Sequence, residues 1–162
     1  MKVALILPGN INDLSFNQAG YEGAQQLADE GLIELAFTEE VPEDAASVTS
    51  VAGRYISEGY ELILANSFGY GDAIFELAEA NPDVNFAFAG GINRTGANVA
   101  DYQQPVYQGN YLTGILAAGL TQSGTLGGIG AFDIPPYHAQ LEAFKLGAQS
   151  VNPKITTKVV WV

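Results

Sequence analysis

Residues 2–23 read KVALILPGNINDLSFNQAGYEG, and the order of patterns within them decides the fold. Val3 to Leu7 is an unbroken apolar run, as a strand covered on both faces should be. Pro8 and Gly9 interrupt it, a polar turn follows, and a helical pattern begins near Asn17. Strand, turn and helix in that order open a βα unit. In an open α/β sheet, small ligands sit in the crevice past the carboxyl end of a strand. The turn offers Asn10, Asn12, Asp13, Ser15 and Asn17 as hydrogen-bonding groups, with flat apolar faces at Phe16 and Tyr21. Few charges, many hydrogen bonds and flat rings suit recognition of a small polar ligand better than catalysis.

The same alternation continues outward. The spacing predicts a helix over 17–30 stopped by Gly31, a strand over 32–38, and a helix over 43–58 stopped by Gly59. In that second helix Val48, Val51, Ala52, Tyr55 and Ile56 share a face, and Glu43 and Asp44 sit at its positive start. A strand over 62–65, a helix over 73–80, and strands over 85–89 and 97–102 follow. Gln103-Gln104-Pro105 reads as a crossover. Beyond it come a helix over 107–122, a strand over 126–131, a helix over 136–151 and a strand over 158–162. The first of these helices has Tyr111, Leu112, Ile115, Leu116, Gly119 and Leu120 on one side. The second carries Tyr137, Leu141, Phe144, Ala148 and Val151 as a core stripe. Repeated β-α order with short connections predicts an α/β fold, a parallel sheet flanked by helices on both faces. The closing VVWV is a bare apolar strand, so the expectation is either a longer protein or a second copy that covers it, as a dimer or a domain swap.

At 162 residues, 48% of them hydrophobic and 15% charged, the chain is globular and can bury a sizeable core. The net charge of −12 is uneven: residues 1–93 hold fifteen acids and two bases, residues 94–162 three acids and four bases. That balance disfavours nucleic acid as a partner. Without cysteine there is no thiol nucleophile, disulfide or Cys–zinc site. No His/Asp cluster has metal-ligand spacing, and there is neither a phosphate loop nor a GxSxG elbow. The expectation is a protein with no metal, no cofactor and no catalytic residues. The opening MKVALILPGN is too short for a membrane span and lacks the pattern of an export signal.

Three further corners repeat the first one's chemistry. Asn66-Ser67-Phe68-Gly69-Tyr70-Gly71-Asp72 follows the third strand, Gly90-Gly91-Ile92-Asn93 the fourth, and Phe132-Asp133-Ile134-Pro135 the strand over 126–131. Each has a plain structural alternative. Asp13, Ser15 or Asn17 caps the first helix, Asp72 starts the third, Gly90 serves a simple turn, and Asp133 is as good a cap as a contact. His138, the only histidine, reads as a surface residue at a helix start.

These loops, in this order, resemble the basic membrane protein family of bacterial solute-binding lipoproteins, which includes purine nucleoside receptors feeding ABC transporters. The stretches that carry the resemblance are NDLSFNQAGYEGA, ANSFGYGDAI, ANPDVNFAFAGG, ANVADYQQPVYQGNYLTGILAAGLTQSGTLGGIGAF and IPPYHAQLEAFKLGAQSVNP. The resemblance implies a type I periplasmic-binding-protein architecture, in which two α/β lobes close on a purine nucleoside or related ring ligand. Residues 1–103 would form the first lobe, and 104–162 an incomplete second lobe or a piece packed on the first. The chain would then be about the N-terminal half of a protein outside the cytoplasm, periplasmic or lipid-anchored, with an ABC permease as partner. By position, Asn12 and Asp13 fall at a ligand-facing acidic pair and Tyr21 at an aromatic that stacks on the base. Phe16, Asn17, Ser67 and Phe68 lie in matching loops, and Gly90 and Phe132 complete the expected ligand contacts. Where many nucleoside-binding members end the fourth strand on an Asp, this chain has Gly90. IGAFDIP and NPKITTKVVWV are closer to a subgroup taking free bases or other small solutes. The alternatives are a small α/β enzyme acting on a nucleoside-like substrate through Asp13 or Asp72, and an isolated flavodoxin-like lobe without ligand.

Overall fold

The computed structural model describes residues 1–162. The chain divides into two compact units, Met1–Tyr102 and Gln103–Val162. The first is built from strands β1 (Lys2–Ile6), β2 (Glu34–Thr38), β3 (Leu62–Ala65), β4 (Asn85–Phe88) and β5 (Val99–Asp101). Helices α1 (Phe16–Asp29), α2 (Ala45–Ser57) and α3 (Gly71–Ala80) connect the first four strands. The sheet order is β2-β1-β3-β4-β5, with every pair parallel.

Successive side chains of a strand face opposite ways, so β1 feeds two layers. Leu5 and Leu7 pack with Ala24 of α1. Ala4 and Ile6 pack on the other face with Val48, Ala52 and Tyr55 of α2 and Ile74 of α3. The sheet is therefore covered by helices on both sides, as the unbroken apolar reading of β1 requires. Each fully buried Leu, Ile or Phe here contributes about 1.5–3 kcal/mol from removal of its surface from water. Asp44 is the N-cap of α2, accepting from the Ser47 amide at 2.9 Å. Gly31 and Gly59 follow the C-caps of α1 and α2 with φ of +73° and +80°, a left-handed turn that releases the chain toward the next strand. A 3₁₀ turn over Phe68–Tyr70, absent from the sequence pattern, brings the chain into α3 two residues before the predicted start.

The second unit holds α4 (Val106–Leu120), β6 (Thr125–Gly130), α5 (Pro135–Val151) and β7 (Thr156–Trp161), with β6 and β7 paired in parallel. Its two helices meet through glycine rather than through the apolar rows that the spacing singles out. A Cβ at Gly114 would lie 2.0 Å from the Phe144 carbonyl oxygen, and one at Gly147 2.0 Å from that of Tyr111. The helix backbones therefore approach as closely as they can. Leu112, Leu116 and Leu120 stay exposed, and of the predicted α5 stripe Ala148 is buried while Val151 is half exposed.

Candidate functional site

The strand ends of the first unit fall in one row. Ile6 pairs with Thr38 and Ala65, Ala65 with Phe88, and Phe88 with Asp101. The loops that follow these residues leave from the same rim. From β1 the chain moves outward to β2 and then returns to β3 on the other side, so the order reverses between β1 and β3. Such a reversal, at the carboxyl ends of the two strands, is the general ligand position of open α/β sheets. Asn12, Asp13, Phe16 and Asn17 lie on the β1 side of it, Ser67 and Phe68 on the β3 side. Gly90 follows β4, one strand further along. Phe132 belongs to the second unit, in the turn after β6.

Asp13 organises the β1 corner. One carboxylate oxygen accepts from the backbone of Ser15 at 2.8 Å and Gln18 at 3.0 Å, the other from the Asn17 backbone at 3.1 Å and side-chain amide at 2.9 Å. Shielding by the loop pushes its pKa up, but these bonds outweigh it and hold the carboxyl down at about 2. It thus satisfies orphan amides of α1, whose nominal N-cap Ser15 makes no side-chain capping bond. Asn17 is also engaged, its Oδ1 accepting from the Gly9 amide at 3.3 Å. Glu39 reaches across from the β2 loop to accept from the Ile11 amide at 2.7 Å. Asn12 and Phe16 point outward, Phe16 at the first position of α1 with 38% of its surface exposed. Tyr21 instead packs into the layer under α1, edge-on to Phe37 at 4.8 Å, with its hydroxyl on Gln25.

On the β3 side, Ser67 donates to Glu43 and accepts from the Gly69 amide, which ties the two loops together. Tyr70 is buried and donates to the Val41 carbonyl at 2.6 Å; burial first, then the nearby Glu43 carboxylate, raises its pKa. Asn66 is 1% exposed, and Tyr102 donates to its Oδ1 at 3.1 Å. Its Nδ2 has no hydrogen-bond partner and lies against Gly20, where a Cβ would be 2.7 Å away. Burial pushes the Tyr102 hydroxyl up to about 12. Gly90 is fixed sterically: a Cβ there would come 2.3 Å from the Phe88 ring and 3.0 Å from Asp101. Asp101 accepts from the amides of Gly91, Ile92 and Arg94, so one carboxylate shapes the whole β4 loop.

Sequence reasoning missed Tyr102 and Asp101, and named Asn66 only as part of its corner. For Asn66 the signal was a polar residue directly after an apolar strand; for Asp101, an acid closing a strand beside a glycine-rich loop. In the second unit Asp133 does not cap α5, whose N-cap is Ile134 with no side-chain bond; it pairs with His138.

A family model described as ABC transporter substrate-binding protein, PnrA-like (Bmp), matches residues 1–162. The chain belongs to this family. This Bmp-family chain is 36% identical to a purine-binding protein of Brucella abortus, over 100% of its own length and 46% of the relative's. It is 34% identical to a putative ABC transporter glucose-binding protein of Haloferax volcanii, over 100% of its length and 41% of that protein. A nucleoside-binding protein of an ABC transporter from Lactococcus lactis is 26% identical, over 98% of the chain and 46% of the relative. The chain thus spans about half the length of the curated relatives it matches. Among solved structures, a solute-binding protein from Aeropyrum pernix superposes with a TM-score of 0.76 at 24% identity, over 100% of the chain and 47% of that structure. One from Conexibacter woesei gives 0.74 at 24%, over 99% and 54%. These likenesses establish the type I solute-binding fold. No helix is long and apolar enough to cross a membrane.

Proposed function

We propose that this chain is the N-terminal part of an extracytoplasmic solute-binding protein that captures a purine base, a nucleoside or a similar planar ring solute for an ABC permease. The observation that carries the reading is the reversal of strand order between β1 and β3, with an outward aromatic at Phe16 and the exposed Asn12 in the loop that follows β1, in a chain that the family model matches throughout. Phe16 is the stacking face. Asp13 and Asn17 fix its helix, and Ser67 and Phe68 form the opposite bank. The first unit corresponds to most of one lobe. The second, rich in exposed apolar side chains, corresponds to the beginning of the other. It suits completion by further chain of that lobe, and sizing chromatography separates this from a swapped dimer. A non-covalent binder fits better than an enzyme, because Asp13 is spent on four hydrogen bonds and Glu39 on the Ile11 amide.

The purine reading is supported by the name of the Brucella relative, and the name of the Haloferax relative brings a sugar in as the second reading. Calorimetry on the full-length encoded protein separates them, with adenine, adenosine, guanosine, inosine and glucose as titrants. Heat from a purine, weakened about tenfold or more in Phe16→Ala, is the expected result. Heat from glucose alone, or from none of the five, rejects the purine reading.

A further inference from the structure

Of the ten asparagines in the chain, Asn93 alone has a hydroxyl residue two places on, in Asn93-Arg94-Thr95. Asparagine, any residue but proline, then serine or threonine is the acceptor pattern for N-linked glycan transfer. The pattern has chemical meaning only where the amide is accessible and uncommitted. Asn93 and Thr95 are both exposed, in the irregular connection over residues 89–98 between β4 and β5. Neither side chain hydrogen-bonds within the protein. Asn98 in the same connection shows the contrast. Its Nδ2 donates to the carbonyls of Ala78, Asn81 and Val84 at 3.1, 3.0 and 2.7 Å.

The loop is built to hold Asn93 outward. Asp101 accepts from the amides of Gly91 at 2.6 Å, Ile92 at 2.8 Å and Arg94 at 3.1 Å, passing over that of Asn93. Arg94 turns back onto α3, bonding Asp72 at 2.7 Å with its guanidinium 4.0 Å from the centre of the Phe75 ring. Asn93 itself has a φ of +58°, the left-handed conformation that asparagine adopts more readily than most side chains. Its neighbours are pinned inward while it forms the apex, so a bulky polar group on Nδ2 projects into solvent. From this we propose that Asn93 is an N-glycosylation site, carrying an oligosaccharide on the β4–β5 loop of the first unit. The donor class is a glycan joined through its C1 to a lipid phosphate. The Nδ2–C1 bond forms and the C1–O bond to phosphate breaks. The phosphate oxygen leaves with the bonding pair, and one Nδ2 proton passes to a base of the transferase. The unbonded Thr95 hydroxyl is the group the transferase recognises. The proposal rests on the extracytoplasmic part of the reading above and is independent of which solute is bound.

The test uses the full-length encoded protein, recovered from the envelope and cytoplasmic fractions of the cells that encode it. Cleavage before aspartate releases residues 83–100 with the pattern whole. Mass spectrometry of that peptide from the envelope fraction should show a form heavier by whole sugar residues, with the added mass on Asn93. Thr95→Ser should keep the addition, and Thr95→Ala and Asn93→Gln should lose it. Thr95→Ala removes a hydroxyl that bonds nothing in the protein, and circular dichroism checks that each variant is folded. An unmodified peptide from the envelope fraction, or a sugar that survives Thr95→Ala, overturns this proposal and leaves the extracytoplasmic reading standing. Protein confined to the cytoplasm overturns both.

Discussion

Asp13 spends four hydrogen bonds on the start of α1, which makes the geometry of the β1 corner pH-sensitive at the acid end. Its folded pKa of about 2 lies below its ordinary 3.8, so its contribution is complete above the ordinary value and is lost as pH falls toward 2. Amide exchange at Asn17 and Gln18 should therefore accelerate through that window, by roughly five- to tenfold relative to the middle of α1. Asp13→Ala should show the same fraying already at neutral pH. Uniform exchange along α1 in that variant would contradict the role. Tyr102 works in the opposite sense. With its pKa raised to about 12 from 10.0, its neutral form contributes stability below pH 10 that disappears as pH rises through 12. Tyr102→Phe deprives the Asn66 amide of its one partner and should cost about 1–2 kcal/mol in chemical denaturation. At Gly90, an aspartate forces a side chain into the Phe88 ring and beside the Asp101 carboxylate. Gly90→Asp should lower stability by about 1–3 kcal/mol, read as a shifted denaturation midpoint.

At the scale of elements, what could be read from residues was periodicity and punctuation. Leu62–Ala65 is apolar on both faces and bounded by polar turns, so β3 was legible to the residue. Gly31 and Gly59 marked helix ends because only a left-handed residue releases the chain there. The 3₁₀ turn at Phe68–Tyr70 was not legible, because its stability comes from Ser67 bonding Glu43 and Tyr70 bonding Val41, contacts more than twenty residues apart in sequence. The candidate site divides in the same way. The polar, aromatic composition of the β1 and β3 corners was visible. Which groups remain outward was not, since that follows from long-range bonding of Asp13, Asn17 and Ser67. The α4 pattern misled for a physical reason. A row of leucines announces an apolar surface, not what covers it, and α4 meets α5 through Gly114 and Gly147 instead. Gly114→Val places methyl groups on a helix backbone that has nowhere to go. It should unfold the α4–α5 pair, seen as loss of helical signal, while leaving exchange protection in the sheet of residues 1–102 intact.

The two units differ in what would hold them together alone. Residues 1–102 contain a five-stranded sheet with a buried layer on each face. Residues 103–162 bury Ala148 and Ile155 among their apolar side chains, while Leu112, Leu116, Leu120, Ile129, Leu146 and Val160 remain exposed. Charge separates them as well: sixteen acids and three bases lie in the first unit, two acids and three bases in the second. A chain of residues 1–102 should therefore unfold cooperatively on its own, with a midpoint that rises with salt as repulsion among its carboxylates is screened. A chain of residues 103–162 should unfold gradually and self-associate, because an order of a hundred kcal/mol of chain entropy in a unit this size has too little buried surface set against it. Calorimetric scans of the two pieces at low and high salt measure both expectations together. A sharp transition in the smaller piece as a monomer would mean that its core is sufficient after all. The apolar side chains of α4 would then be free to serve as a surface rather than as half of an unfinished interior.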